Sequence, residues 1–386
     1  MTQWLTAAEA QARLGVRAQT LYAYVSRGRI EARSDGDDPR KSLYLADDVA
    51  RLQTRKARSR KPELVAQDAI AWGEPVLASA ITTVVDGRLY YRGRDAVELA
   101  RTETLEQVAR LLRGGDGVAF KDRTPGVIPD APTARGRAFA LLASQAATDA
   151  PARGRASLAL AAEAAGLLDA FADALAGPTF AGGPLEGPIH ARLAKAWHCD
   201  EEGGALIRRV LVLLADHELN ASTFAARVAA STGASLAASA LAGLAALSGP
   251  LHGGIAPRVQ AFIAEAERVG AEAAVRARLA QGLPVPGFGH PLYPRGDPRS
   301  EALLEAFTPG PIFLEVHEAA ERLTGASANV DFALTALVSR LDLSDDAAFL
   351  MFAMGRCAGW LAHALEQMRT GQLIRPRARY VGPAPG

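Results

Sequence analysis

Apolar residues recur with the 3.6-residue period of amphipathic α-helices over most of the chain beyond residue 95. The period is clear in four segments, Ala96–Leu112, Ala134–Thr148, Ser157–Ala176 and Gly203–His217. Helices from about Ser222 to Leu247 are crowded with Ala, Ser and Gly, whose small side chains let neighbouring backbones approach closely. The pattern predicts a mostly α protein.

One segment before these helices has the period of two that is typical of β-strands. Ala80–Val85 and Arg88–Arg92 flank the dipeptide Asp86-Gly87, which favours a tight hairpin turn. We therefore expect a β-hairpin at the start of the larger part of the chain.

The first sixty residues have a pattern of their own. Thr6 followed by Glu9 is typical of a capping box, and Gly15 indicates a turn after a short helix. We expect two helices at about Thr6–Leu14 and Ala18–Ser26. A two-stranded wing follows at Ile30–Arg33 and Ser42–Leu45, with a turn at Asp35–Asp38, and then a third short helix at about Asp47–Leu52.

Composition narrows the class of protein. Of 386 residues 49% are hydrophobic, and the formal net charge is only +1, which is typical of a globular protein rather than a disordered one. The two cysteines, Cys199 and Cys357, are too few for a disulfide framework and fit a reducing compartment. The N-terminus lacks a signal-peptide pattern, and apolar runs such as Ala205–Ala215 are too short to span a bilayer. We expect a cytoplasmic protein with no membrane association.

Three loops carry the residues best suited to chemistry. SGPLHGG contains His252, GFGHPLYPRGDPR contains His290, and ANVDF contains Asp331. Two histidines and a carboxylate suit the removal of a proton next to a carbonyl, with donors for the oxygen that becomes negative. Taken singly, each residue is better explained by structure, since a histidine beside two glycines or an NVD sequence can simply cap a helix.

The loops nevertheless resemble, in order and spacing, the citrate synthase family. Further matching segments are ITTVVDGRLYYRGRDAVELA, ADHELNAS, GRCAGWLAHALEQ and LIRPRARYVG, and the resemblance covers roughly residue 66 to the C-terminus. It implies citrate synthase-like large and small helical domains. The expected divisions are a linker at 58–65, a large domain at 66–252 and 336–386, and a small domain at 253–335.

The resemblance also implies roles for individual residues. Asp331 would be the base, His252 the neutral donor to the thioester oxygen, and His290 the donor to the ketone of oxaloacetate. The helix that begins near Ile255 should disfavour the charged form of His252, while Val330 and Phe332 should raise the basicity of Asp331. Further implied oxaloacetate-binding residues are His217, Arg299, Arg356 and Arg375, the last donated by the partner subunit of a homodimer.

Coenzyme A enters this chemistry as a thioester substrate, so we expect no permanently bound cofactor. The family usually has basic residues after the second histidine box, whereas Pro291 and Pro294 intervene here and Arg295 is the nearby candidate for the coenzyme phosphates. The run His198–Glu201 does not predict a metal site, because adjacent ligands point in different directions. His363 and Trp360, at helical spacing, are expected to serve packing.

Residues 1–57 resemble a winged helix-turn-helix of the excisionase and mercury-resistance-regulator kind. Arg17, Gln19, Thr20, Tyr22 and Arg27 lie on or beside the expected recognition helix, and DNA is a possible partner. The alternative is that Tyr22 and Tyr24 pack the small core and the arginines are solvated. The basic segment Arg55–Lys61 can likewise touch phosphates or act only as a linker.

Three functions remain open at this stage. The first is condensation of acetyl-CoA with oxaloacetate to citrate, and the second is 2-methylcitrate synthesis from propionyl-CoA. One methylene is worth only ~1–3 kcal/mol of discrimination, so sequence does not separate these two. The third is a DNA-binding regulator with a metabolite-sensing domain, against which the complete His252, His290 and Asp331 set argues.

Overall fold

The computed structural model describes residues 4–16, 18–26, 30–34, 41–50, 52, 77–115, 128–177, 185–378 and 380–383. The chain divides into two compact units, Met1–Ala78 and Ser79–Gly386. The expected turn at Asp35–Asp38, the linker at 58–65, the basic segment Arg55–Lys61, and the residues Arg17 and Arg27 lie outside the described residues.

The first unit is a pair of short helices against a small sheet. Helix α1 (Ala7–Leu14) begins at a Thr6–Glu9 capping box and ends at Gly15, whose φ of 58° is left-handed. Helix α2 (Ala18–Ser26) follows, and residues 46–50 are also helical. These bounds agree with the sequence pattern.

Its sheet contains one strand more than the sequence predicts. Strands β1 (Trp4–Thr6), β2 (Ala32–Ser34) and β3 (Ser42–Leu45) lie in the order β1-β3-β2, all antiparallel. The core contains Leu5, Leu14, Leu21, Ile30, Tyr44 and Val49. Tyr24 packs partly against this core, whereas Tyr22 is 61% exposed, so only Tyr24 serves packing.

The second unit opens with the predicted hairpin. Strands β4 (Thr82–Val85) and β5 (Arg88–Tyr91) pair antiparallel, and Asp86 and Gly87 both have positive φ, as a tight hairpin turn requires. A two-residue strand, β6 (Arg94–Asp95), pairs with β5.

The rest of this unit is helical. The helices are α3 (Ala96–Thr102), α4 (Leu105–Leu112), α5 (Ala134–Thr148), α6 (Ser157–Ala176), α7 (Ile189–Ala196), α8 (Glu201–Leu213), α9 (Ala221–Ser231), α10 (Leu236–Leu247), α11 (Ala256–Val269), α12 (Ala271–Ala280), α13 (Pro298–Leu304), α14 (Pro311–Thr324), α15 (Val330–Arg340) and α16 (Ala347–Thr370).

The predicted segment Ala96–Leu112 is two helices rather than one. Glu103 is extended, and Thr104 starts a second capping box with Gln107, so the local hydrogen bonds favour a new helix over continuation. The predicted segment Gly203–His217 begins earlier, after the Asp200 cap, and ends at Leu213, which leaves His217 in a loop. Segments α5 and α6 have the predicted bounds.

Helix α16 is the central element. It packs against α6, α8, α9 and α10, and its residues from Ala347 to Leu365 are all buried. This helix is long and apolar enough to cross a bilayer, which the sequence pattern did not anticipate, but its apolar window is fully buried inside the protein. Helices α11 to α15 pack largely on one another.

Candidate active site

A tight loop between α10 and α11 positions His252. The backbone N–H of Gly253 donates to Leu247 O at 2.9 Å, and that of Gly254 donates to Gly249 O at 3.1 Å. A Cβ on Gly254 would lie 2.8 Å from Pro250 Cα, so this approach needs glycine. The fold of the loop therefore depends directly on the two glycines after His252.

His252 does not cap the following helix. Helix α11 has Ile255 at its N-cap and no side-chain capping bond. The half-buried imidazole instead places Nε2 2.8 Å from Ser222 Oγ and 3.2 Å from Asn220 Oδ1, and its ring meets the edge of Phe352. The capping alternative for His252 is thereby excluded.

Ser222 is the hub of this contact, and sequence reasoning did not identify it. It is fully buried, it accepts from Trp360 Nε1–H at 3.1 Å, and its hydroxyl donates to Asn220 Oδ1 at 2.7 Å. The one hydroxyl proton of Ser222 can instead turn from Asn220 Oδ1 to His252 Nε2. In that arrangement the proton of the neutral imidazole lies on Nδ1, which is then the donor toward the site. The prediction that Trp360 only packs was incomplete, because its indole N–H holds Ser222.

The loop that carries His290 is joined to the loop that carries Asp331. Gly289 N–H donates to Ser327 O and Asn329 N–H donates to Gly287 O, both at 2.8 Å. Gly287 has a φ of 83°, and a Cβ there would lie 2.9 Å from Phe332 Cβ. Two segments 40 residues apart thus form one structure.

His290 has a defined tautomer when it is neutral. The backbone N–H of Leu292 donates to its Nδ1 at 3.2 Å, so the imidazole proton lies on Nε2. The His290 ring packs edge-on against His217 with centroids 5.3 Å apart, and His217 Nε2 lies 2.9 Å from Tyr293 Oη. The structure therefore brings His217 and His290 together.

The loop that carries His217 is braced by the hairpin. The Tyr91 hydroxyl lies 3.1 Å from the carbonyl oxygens of Val212 and Leu213, and Glu218 Oε1 accepts from Val84 N–H at 3.1 Å. Glu218 has a φ of 51°, which turns the chain sharply after His217.

Asp331 lies in the first turn of α15, but it does not cap that helix. Asn329 is the N-cap, and its Oδ1 accepts from Asp331 N–H at 3.0 Å. Among the described residues no side chain or backbone group donates a hydrogen bond to the Asp331 carboxylate. Burial raises the pKa of Asp331 to about 6, although the charges of Arg299 and Arg356 oppose the shift.

A second carboxylate, Asp297, holds Arg299 in place. Arg299 donates through Nε and Nη2 to the two Asp297 oxygens at 2.9 and 2.7 Å, and both residues are buried. Asp297 Oδ2 also accepts from Val330 N–H at 3.1 Å. The Asp297 carboxylate thus holds both Arg299 and the N-terminus of the helix that carries Asp331. The sequence pattern indicated Asp297 only as part of the DPR motif.

Arg356 is a buried guanidinium of another kind. Its Nε donates to Leu214 O at 3.1 Å, and it lies over the Phe352 ring, but no carboxylate of the described residues lies within ion-pair distance. Burial lowers the pKa of Arg356 to about 10, so it stays charged at neutral pH. A buried cation without a paired carboxylate is a strong site for an anionic ligand.

The charge of Arg356 also acts on the neighbouring groups. Burial first, and Arg356 second, lower the pKa of His252 to about 4. Burial, Arg299 and Arg356 lower the pKa of His217, and burial and Arg299 lower that of His290 to about 4. All three imidazoles are therefore neutral at pH 7. For His252 the direction of the pKa shift agrees with the expectation, and its causes are burial and the charge of Arg356.

Two of the predicted site residues are not brought to this cluster within one chain. Arg295 is exposed in the loop after His290, and Arg375 is exposed in the segment after α16. The other six residues, His217, His252, His290, Arg299, Asp331 and Arg356, are linked by contacts or by mutual effects on their pKa values.

This arrangement offers one carboxylate of raised basicity, neutral imidazole donors and two fixed guanidiniums. Such a set can remove a proton from carbon next to a carbonyl, stabilise the enolate and hold a dicarboxylate.

Comparison with known proteins gives a match in each of the two units of the chain. The profile of the citrate synthase C-terminal domain matches residues 128–377, and that of a helix-turn-helix domain matches residues 4–57. A protein named putative citrate synthase 2 from Mycobacterium tuberculosis is 41% identical over 187 residues, which are 45% of this chain and 50% of that protein. Citrate synthase 2 of Bacillus subtilis is 39% identical over 186 residues, with the same coverage. Other matching relatives are named 2-methylcitrate synthase.

The chain matches about half the length of these curated relatives. A solved structure, citrate synthase from Thermotoga maritima, covers 81% of this chain and 95% of its own, with a TM-score of 0.67 and 26% identity. The matching profile covers more than half of the chain and the fold agrees with it, so the chain belongs to the citrate synthase family.

Proposed function

We propose that the protein condenses acetyl-CoA with oxaloacetate and hydrolyses the resulting citryl thioester to citrate and coenzyme A. The observation that supports the proposal is that a carboxylate of raised pKa, Asp331, and a neutral imidazole, His252, both interact electrostatically with the buried guanidinium of Arg356. Family membership supports the same activity.

The first step is removal of a methyl proton from acetyl-CoA. The Asp331 carboxylate takes the proton, and no hydrogen bond from described residues weakens its basicity. The electron pair moves to the thioester oxygen, which accepts a hydrogen bond from His252 Nδ1–H. A preorganised donor of this kind is typically worth about 10²–10³ in rate.

The second step is attack of the enol carbon on the ketone of oxaloacetate. The two carboxylates of oxaloacetate bind Arg356 and the remaining guanidinium N–H groups of Arg299. His290 Nε2–H donates to the ketone oxygen, because its Nδ1 is already occupied by Leu292 N–H. Hydrolysis by water then releases coenzyme A.

Two further residues are needed to bind both substrates, and neither joins the His252 cluster within a single chain. We propose that Arg375 reaches the oxaloacetate site of a partner subunit in a homodimer and that Arg295 meets the coenzyme phosphates. Segment 253–335 would close over the rest of the unit, which excludes water from the enol. The enzyme would work in the cytoplasm without a resident cofactor.

A thiol-release assay with oxaloacetate tests the proposal. We expect turnover with acetyl-CoA, and comparison with propionyl-CoA separates citrate synthesis from 2-methylcitrate synthesis. Asp331→Asn is expected to lose activity by at least ~10²-fold, whereas Asp342→Asn, a change at an exposed loop, should retain it. Absence of turnover with both thioesters would refute the enzymatic proposal.

A second function, DNA binding by the first unit, is favoured by one observation. Gln19, Thr20 and Tyr22 form an exposed face on α2, the helix in the position of a recognition helix. Selection of bound sequences from a random duplex pool, followed by gel-shift titration at fixed salt, tests this function. We expect one enriched sequence and weaker binding by Tyr22→Ala; equal binding to all duplexes would contradict it.

A further inference from the structure

Two consecutive β-turns form the loop after His290. Tyr293 N–H donates to His290 O at 3.0 Å, and Gly296 N–H donates to Tyr293 O at 3.2 Å. Pro291 and Pro294 stand at the second position of the two turns, where the fixed φ of proline favours the turn conformation. Tyr293, the last residue of one turn and the first of the next, is therefore held by the backbone on both sides.

The side chain of Tyr293 contacts His217. Tyr293 is 2% exposed, its Oη lies 2.9 Å from His217 Nε2, and the Arg299 guanidinium lies over its ring, 5.4 Å from the centroid. Burial raises the pKa of Tyr293 to about 12, so the phenol keeps its proton at neutral pH. Burial and then the charge of Arg299 lower the pKa of His217. The contact therefore joins a neutral phenol to a neutral imidazole.

The direction of this hydrogen bond follows from the partners of the Tyr293 hydroxyl. Among the described residues it makes no hydrogen bond except the one to His217, and a buried donor without an acceptor is costly. If His217 Nε2 carried the proton, it would donate to Oη and leave the phenol proton without an acceptor. The hydroxyl therefore donates, and the neutral His217 carries its proton on Nδ1.

A proton on Nδ1 makes His217 a donor for an anionic ligand. No described residue forms a hydrogen bond with this nitrogen, so it remains available. The charges of Arg299 and Arg356, which attract carboxylates, both act on His217. In the opposite tautomer Nδ1 would present a lone pair, which repels a carboxylate.

The same pair of turns sets the tautomer of His290. Leu292 N–H, in the first turn, donates to His290 Nδ1 at 3.2 Å and so places the imidazole proton on Nε2. The rings of His217, His290 and Tyr293 pack on one another, with centroids 4.9 to 5.6 Å apart. One short loop thus controls the protons of two adjacent imidazoles.

We propose that Tyr293 is a positioning residue for oxaloacetate, because its hydroxyl keeps the His217 proton on Nδ1, from which His217 donates to a carboxylate of oxaloacetate. The identity of the ligand rests on the proposed function, whereas the tautomer of His217 does not depend on it. A hydrogen bond from a neutral donor to a carboxylate is worth about tenfold or more in affinity.

Nitrogen-15 NMR of the full chain, labelled at histidine, tests the tautomer without any substrate. The chain has seven histidines, and comparison with His217→Gln identifies the signals of His217. We expect a protonated Nδ1 and an unprotonated Nε2 in the wild type, and protonation of Nε2 in a measurable fraction of Tyr293→Phe. A wild-type His217 protonated on Nε2, or an unchanged tautomer in Tyr293→Phe, would overturn the proposal.

Calorimetric titration with oxaloacetate tests the consequence for binding. Tyr293→Phe keeps the ring that packs against Arg299 but lacks the hydroxyl, so its dissociation constant for oxaloacetate should rise about tenfold or more. Tyr90→Phe is the matched control, because the Tyr90 hydroxyl, on β5, makes no hydrogen bond to the described part of the chain. The control should bind oxaloacetate as the wild type does, and equal affinity of Tyr293→Phe and the control would contradict the proposal.

A double-mutant cycle shows whether Tyr293 acts through His217. Tyr293→Phe should weaken binding no further in a His217→Gln background, because the hydroxyl matters only for the proton that His217 donates. Full additivity of the two changes would mean that Tyr293 acts on oxaloacetate or on the fold directly, and the proposal would fall. Neither measurement requires turnover, so failure of the condensation assay alone refutes the proposed function without changing these results.

Discussion

Replacement of Asp331 by asparagine is expected to stabilise the folded protein at alkaline pH while removing the proposed activity. The pKa of Asp331 is raised from its ordinary 3.8 to about 6 by burial. Because the folded state favours the protonated carboxyl, the wild type is relatively most stable below pH 3.8. That contribution is lost as the pH rises through 6. Asparagine does not ionise and avoids the loss.

The magnitude follows from linkage. At 1.36 kcal/mol per pKa unit, the shift corresponds to about 3 kcal/mol at pH 8 and to about 1.6 kcal/mol at pH 5. The stability difference between Asp331→Asn and wild type should therefore fall by about 1.4 kcal/mol between pH 8 and pH 5. Any effect of the asparagine amide on stability that does not depend on pH cancels in this comparison between pH 8 and pH 5.

Urea unfolding at both pH values measures the free energies directly. Asp342→Asn serves as the control, because Asp342 is exposed and asparagine tolerates its φ of 49°. A stability difference for Asp331→Asn that is the same at pH 5 and pH 8 would show that the carboxylate is not desolvated, and the argument for its basicity would fail.

Three further predictions concern the remaining site residues. Ser222→Ala should lower kcat about tenfold to a hundredfold with little change in KM for oxaloacetate, because it removes the donor that keeps the His252 proton on Nδ1; a change in KM alone would contradict this. Arg356→Gln should raise KM for oxaloacetate about tenfold or more, since a charged hydrogen bond of about 1.5–3 kcal/mol is lost. Steady-state kinetics measures this KM, and an unchanged value would contradict the assignment of Arg356 to oxaloacetate. The pH profile of kcat/KM should fall about tenfold per unit below pH 6 and stay flat from 6.5 to 8, because His252 and His290 are neutral throughout; a second inflection near pH 7 would argue against neutral imidazoles.

The sequence predicted the helical class and most element bounds because the evidence is local. The period of the apolar residues, the Thr6–Glu9 box and the Asp86-Gly87 turn each act within a few residues of chain. The break at Glu103 escaped notice because the apolar stripe continues across it. Strand β1 escaped notice because a three-residue strand has too short a pattern.

The site was predictable only as far as the loop motifs extended. His252, His290 and Asp331 stand beside glycines and prolines that indicate loops. The contact between Trp360 and Ser222 joins residues 138 apart, and nothing in either local sequence indicates it. The role of Asp297 was concealed because a carboxylate before proline is also an ordinary helix cap, which Asp297 provides as well for α13.

The account depends most directly on enolisation of the thioester by Asp331 opposite a neutral His252. Incubation with acetyl-CoA in D₂O and malate isolates this step, because malate offers the two carboxylates of oxaloacetate but no ketone to attack. We predict that NMR will show deuterium entering the methyl group with the wild type and at least ~10²-fold more slowly with Asp331→Asn. Equal exchange by the two proteins, or no exchange by a wild type that binds both ligands, would contradict the account.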